Sequence, residues 1–299
     1  EPVRQAALRT REAGIRQDRV EDLEGAFAAA VVALREVPLR EAFAERVVTL
    51  AGATGDLATA EEALSAAADH PHAPIGHLEK LAAIQRRQVE EEAEGIRPRL
   101  FATLMRLAAL KPKDLDVLYE AAALAVESLP EQATATLESL YERASGLWRG
   151  GAEVSGERGP DVLATWAAEQ LVGRYDADEK ASEAIELLMD ASRLPMAPND
   201  AATWRREAAR RAAEAGEATT AIELYRDVLR SNEEDVEAMK ALGDLLDAAG
   251  RRAELLTLRH QELAKVESPE RRVELRLDIA RIVTEIERTG GRMEALRAN

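Results

Sequence analysis

The stretch Asn199–Asn232, NDAATWRREAARRAAEAGEATTAIELYRDVLRSN, decides how this chain is read. Its first half places Trp204, Ala208, Arg211 and Ala212 at three- and four-residue spacings, which puts them on one side of a helix. Gly216 stands where that helix must end, because glycine takes a left-handed backbone without a side-chain clash. The second half carries Ala221, Leu224, Tyr225 and Val228 as a second apolar stripe. Two amphipathic helices joined by a tight turn predict an antiparallel hairpin.

The next stretch repeats the plan. VEAMKALGDLLDAAG presents Met239, Leu242, Gly243 and Leu246 and stops at Gly250. RRAELLTLRHQELAKV then turns Leu255, Leu258 and Leu263 inwards. From Gly216 to Gly250 is 34 residues, and from Ala208 to Gly243 is 35. A hairpin of that length cannot bury both its stripes alone. Stacked neighbours can, so a recurring period of this size predicts a helical repeat array with a continuous core.

Working outwards, weaker copies of the unit follow. Residues 40–71 offer Phe43, Val47 and Leu50, a break at Gly55, then Ala60, Leu64 and Ala67. Residues 113–144 offer Leu115, Leu118, Ala122 and Ala125, then Ala133, Leu137 and Leu140. Residues 161–193 offer Leu163, Trp166, Ala167 and Leu171, then Ala184, Leu187 and Leu188. A last first helix from Pro269 carries Leu275, Ile279, Ile282 and Ile286 and is expected to turn at Gly290–Gly291. The segment up to Pro38 reads as the end of an earlier unit. Two stretches depart from the plan. Residues 77–109 read as one long charged helix broken near Pro98. SGLWRGGAEVSGERGP, residues 145–160, reads as a loop because of its glycines and final proline. It divides the chain into residues 1–150 and 160–299, or interrupts a single continuous solenoid.

The Asn199–Asn232 unit resembles a tetratricopeptide repeat. Trp204 matches that family's first large position and Ala208 its small one. Ala221 and Tyr225 match the alanine and aromatic of the second helix, each displaced by one residue. Val228 stands at the later alanine position and Asn232 at the usual proline. The following unit fits with Met239 and Gly243 and lacks the second-helix aromatic. The resemblance implies an all-α, right-handed solenoid of antiparallel helical hairpins, and a non-catalytic scaffold or adaptor that holds protein or peptide on its concave face. The diverged, arginine- and alanine-rich units look like large repeat proteins of bacteria. The family's basic clamp for a peptide carboxylate cannot be placed residue by residue.

Composition bounds the partner. Aromatics are 3% of the 299 residues, and alanine and leucine, both strong helix formers, dominate the apolar fraction. The net charge of −16 argues against nucleic acid, whose binding rests on lysines and arginines meeting phosphates, and favours a basic protein or peptide face. The dull alternative is that acidity keeps the surface soluble. With no cysteine, disulfides, thiolate nucleophiles and thiolate zinc sites are excluded. That usage fits cytoplasm or periplasm, with the cytoplasm favoured. No apolar run is long enough for a membrane span. The chain begins at Glu1-Pro2 and ends at Arg297-Ala298-Asn299, which suggests a piece of a longer protein and, as an alternative function, a regulatory or self-associating segment.

Chemistry is hard to find. There is no Gly-x-Ser-x-Gly elbow and no phosphate loop. His70, His72 and His77 in HPHAPIGH offer three imidazoles for a metal, but Pro71 and Pro74 more simply mark a connection between repeats. His260 stands alone. Asp176 and Asp178, and Glu233, Glu234 and Asp235, read as acids at helix starts. No catalytic, cofactor or metal residues are assigned. The candidate partner contacts are Trp148, as an exposed aromatic or one packed on its own domain, and Arg205, Arg206 and Arg210, against the plain reading of a solvated face.

Overall fold

The computed structural model describes residues 4–297 except 6, 10, 13, 15–21 and 152–155, with side chains only as far as residue 288. Among the described residues there is no strand, and no helix is long and apolar enough to cross a membrane. Packing divides the chain into two compact units, Glu1–Ala164 and Thr165–Asn299.

In the first unit, α1 (Leu23–Glu36) is followed by the pairs α2 (Glu41–Thr54) with α3 (Leu57–Ala68), α4 (Ile75–Glu90) with α5 (Ile96–Leu110), and α6 (Leu115–Ser128) with α7 (Pro130–Gly150). Consecutive helices pack against each other. In addition α1 touches α3 and α2 touches α4, so like helices of successive hairpins lie side by side. The result is stacked helical hairpins, an α-solenoid arrangement. Its core runs without a break from Ala26 and Leu34 through Leu50, Leu64 and Ile84 to Leu104 and Ala121. Fully buried leucines such as Leu50 and Leu64 each contribute roughly 1.5–3 kcal/mol, while alanines such as Ala44 and Ala60 let the helix backbones approach closely.

The second unit carries most of α8 (Pro160–Ala177), then α9 (Ala181–Ala191), α10 (Pro198–Glu214) with α11 (Ala218–Ser231), α12 (Val236–Ala248) with α13 (Arg252–Lys265), and α14 (Pro269–Arg297). One core joins Ile185, Ala209, Ala221, Tyr225, Leu242, Leu258 and Ile282.

Local chemistry sets the ends. Asp22, Asp56 and Asp235 cap α1, α3 and α12 by accepting from the N–H groups of Gly25, Thr59 and Ala238 at 2.8, 3.0 and 2.9 Å. Gly55, Gly216 and Gly250 turn their hairpins with φ of 80°, 80° and 66°. Glu179 takes the same left-handed conformation between α8 and α9, where no glycine marks the turn in the sequence.

Several expectations are corrected. Residues 77–109 are not one long helix: α4 stops at Glu90, and Glu92 and Gly95, with φ of 57° and 68°, make an ordinary hairpin turn. Pro98 is the third residue of α5, where its missing N–H would have had no intrahelical partner anyway. Residues 145–150 are not loop but the end of α7. Gly146 and Gly150 cost helix stability, but Tyr141, Ala144 and Ser145 bury in the same helix, and Gly151 ends it at φ 59°. Helix α14 continues through Gly290–Gly291 to Arg297, since glycine weakens a helix without forbidding it. Of the expected inward residues of α9, Leu187 is only half-buried and Ile185 takes the buried place. Asp176 lies in the last turn of α8 and Asp178 just beyond it, not at a helix start.

Candidate functional site

Within each unit a hairpin pairs a first helix (α2, α4, α6; α10, α12) with a second (α3, α5, α7; α11, α13), and charged side chains bridge neighbouring hairpins. Arg86 of α4 forks onto Glu120 of α6 at 2.6 and 2.7 Å, which holds the guanidinium above its ordinary pKa. Arg99 reaches Glu61 and Arg106 reaches Asp69, at 2.8 and 2.9 Å. In the second unit Arg211 pairs with Asp176, Arg206 with Glu237 at 3.2 Å, and Lys265 with Glu233 at 2.5 Å. The partners are separated by 31 to 38 residues, close to one repeat. The exposed pairs among them contribute about 0–1 kcal/mol each, whereas Arg99–Glu61 is tied to a buried carboxylate and contributes more.

These bridges engage the arginines singled out in the sequence. Arg205 donates to Ser231 Oγ at 2.9 Å and to the Ser192 carbonyl at 3.3 Å. Arg206 also pairs with the buried carboxylate of Asp235 at 3.3 Å. Arg210 forks onto Glu207 at 2.6 and 2.9 Å and reaches Glu214 at 2.5 Å. Arg210, then Arg211, holds the Glu207 carboxyl below its usual range. A partner at any of the three would exchange an internal contact for an external one. Trp148 is half-buried on α7. The histidines do not converge on a metal: His77 is fully buried with Nε2 donating to the Pro38 carbonyl at 2.8 Å, while His70 Nδ1 accepts from the His72 N–H at 3.3 Å. No cluster of three or more metal-ligating side chains occurs among the described residues.

One first-helix face holds a short piece of bent, non-helical chain. Residues 156–158 lie against α6, where Asp116 Oδ2 accepts the Glu157 N–H at 2.5 Å and Asp116 Oδ1 accepts Arg158 Nη1 at 3.0 Å. The Arg158 guanidinium sits 4.5 Å from the centre of the Tyr119 ring, a cation–π distance. Gly156 has φ 145°, and a Cβ there would stand 2.6 Å from Asp116 Oδ2. An open cavity of about 540 Å³ surrounds the contact, walled also by Arg86, Asp114, Glu120 and Ala123. Sequence reading missed this face, because nothing in spacing alone pairs Asp116 with Arg158.

Two further grooves flank the α12–α13 hairpin. One, of about 870 Å³, runs from Val236, Lys240 and Asp244 on the first helix to Arg271 at the start of α14. Val236 is 75% exposed on its rim. The other, of about 640 Å³, has a floor of Leu229, Met239, Leu242, Leu246 and Leu258, and Arg226–Glu254 and Lys265–Glu233 pair across it.

No protein-family model matches the chain, and no curated protein matches it significantly. Solved helical-repeat structures do. The Naa15/Naa10 complex bound to HypK-THB is 12% identical, with 93% of this chain covering 39% of that one at a TM-score of 0.44. This chain therefore spans about two fifths of that protein's length. A tetratricopeptide repeat protein from Parabacteroides merdae is 14% identical over 91% and 97% of the two chains, at 0.35. A thermophilic tetratricopeptide repeat protein of Thermus thermophilus is 15% identical over 81% and 98%, at 0.26. The chain's own helix spacing decides the fold: its burial pattern recurs at 34 residues. The fold is that of tetratricopeptide-like helical hairpins stacked within each unit.

Within these tetratricopeptide-like hairpins the register differs by one residue from the sequence reading. Ala208, Ala209 and Ala212 are buried as Leu242, Gly243 and Leu246 are, so the small residue opposite Gly243 is Ala209 rather than Ala208. Arg205 then stands at the first large position, and the displacement of Ala221 and Tyr225 disappears. One period later than Tyr225 and Val228 come Arg259 and Glu262. Their side chains are 13% and 12% exposed, paired at 2.9 Å, and extended to Asp278 and Arg271. A charged network thus replaces the aromatic core of that hairpin.

Proposed function

We propose that this chain is a non-catalytic scaffold that binds a basic protein or peptide segment along the exposed faces of its first helices. The observation that carries the reading is the seat of residues 156–158 on α6, where a short non-helical segment is held by side-chain and backbone contacts. The charge balance of −16 supports a basic occupant. Selection from a random peptide library against the intact chain, at low and high salt, tests it. Basic peptides enriched at low salt and released by salt are expected, and no enrichment above background would count against the reading.

A second reading, self-association, is favoured by Val273 and Leu277. They lie four residues apart on α14 and are 55% and 68% exposed. Sedimentation of the wild type and of Leu277→Lys tests it. A concentration-dependent dimer lost in the variant is expected, whereas a monomer at every concentration opposes it.

A further inference from the structure

The contact at α6 carries more than the general reading on which it rests. Asp116 spends both carboxylate oxygens on one tripeptide: Oδ2 takes the backbone N–H of Glu157 and Oδ1 takes the guanidinium of Arg158. Charge-assisted bonds from a backbone and a side chain of adjacent residues fix the direction and spacing of the bound segment. The Tyr119 ring stacks on the guanidinium and selects arginine over lysine, since a planar, weakly hydrated cation suits both a carboxylate and an aromatic face. Gly156 completes the pattern, because its backbone conformation is one that L side chains rarely adopt and its missing Cβ leaves room for Asp116 Oδ2. Of the other charged groups on this face, Glu120 is committed to Arg86 and Asp114 lies 4.0 Å from Lys111. Asp116 is the carboxylate left uncovered if Arg158 departs. Arg158 itself is exposed, with 44% of its side chain accessible, so its seat is open to exchange.

We infer that the Asp116–Tyr119 face of α6 is a docking site for a Gly-x-Arg segment of a partner protein, and that Gly156–Arg158 occupies it in cis as an internal competitor. A tethered segment acts at an effective concentration of about millimolar, so the native chain takes an outside peptide weakly and a chain with its own arginine removed takes it well.

The probe is a fluorescent synthetic peptide Ser-Gly-Glu-Arg-Gly-Pro, titrated by anisotropy against the full chain. Arg158→Ala is expected to bind it at least about tenfold more tightly than the wild type, with an affinity that falls as salt rises. Asp116→Asn added to Arg158→Ala abolishes that gain, and a probe with lysine in place of arginine binds more weakly. Gly156→Ala, whose added Cβ would collide with Asp116 Oδ2 and displace the segment while leaving the Asp116 and Tyr119 residues unaltered, is expected to reproduce the gain and stands in should Arg158→Ala fold poorly. Circular dichroism checks each variant. If folded Arg158→Ala and Gly156→Ala bind no more tightly than the wild type, the contact is an internal staple and the inference is overturned. Equal binding of the lysine probe overturns the arginine specificity. Either failure leaves the general scaffold reading standing if library peptides bind elsewhere, so the two are separable.

Discussion

Substituting Arg99 by alanine tests how hairpins of the first unit are tied. Glu61 of α3 is buried, its side chain 7% exposed, and its carboxylate takes Gln85 Nε2 of α4 at 3.0 Å and Arg99 Nη1 of α5 at 2.8 Å. Removing one partner of a fully buried ion pair costs about 3–5 kcal/mol, because a desolvated charge is left behind. The Arg99 side chain is 54% exposed, so water enters the space it vacates, and the Gln85 bond persists. The cost falls to about 2 kcal/mol, between the buried range and the 0.2–1 kcal/mol of exposed pairs. That corresponds to a roughly 30-fold rise in the local opening equilibrium. Hydrogen exchange reads it, with α3, α4 and α5 amides losing protection together. Arg35→Ala is the control, since Arg35 and Glu62 are 48% and 76% exposed. Equal effects of the two variants would refute the claim that burial of Glu61 sets the cost.

Acid should weaken the first unit through His77, whose burial lowers its pKa below the ordinary value of 6.5. The unfolded chain then takes up the proton first, so this stability is whole above about pH 6.5 and is lost as pH falls below it; His77→Gln, which keeps a donor for the Pro38 carbonyl, should flatten that part of a stability–pH curve. Two glycines with equally open surroundings should respond with opposite signs. Gly216→Ala, at φ 80°, costs about 1–2 kcal/mol, whereas Gly146→Ala inside α7 gains about 0.5–1 kcal/mol, both read by thermal melting.

Much of the fold is legible in the sequence because the repeat writes itself twice. Gly216 and Gly250 mark equivalent turns, and the stripes of α11 and α13 share one period. The one-residue error in the first helix arises where alanine is dense: Ala208 and Ala209 are both buried, so composition cannot say which of them is the equivalent of Gly243 one period on. The long helix expected over 77–109 comes from overlooking Gly95 as a turn residue; the break lies between Glu90 and Ile96, just ahead of Pro98. The false loop at 145–150 comes from counting glycines without the burial of Tyr141 and Ser145 beside them. The candidate site was largely hidden. Arg205, Arg206 and Arg210 stand out as a basic cluster, but the acidic partners of Arg210 lie on its own helix, those of Arg206 lie about one repeat away, and Arg205 bonds to Ser231 and the Ser192 carbonyl. The docked Arg158 is invisible to any periodicity. A legible signal existed in retrospect, since arginines and acids about one repeat apart recur through both units.

The central claim, that first-helix faces bind ligand, is tested most directly by photo-crosslinking. A photoreactive residue is placed at Glu45 or Lys240 on first helices, and at Glu62 or Glu223 on second helices, with a library-selected peptide bound. Crosslinks from first-helix positions alone are the expected result. Crosslinks confined to Glu62 or Glu223 would contradict the account.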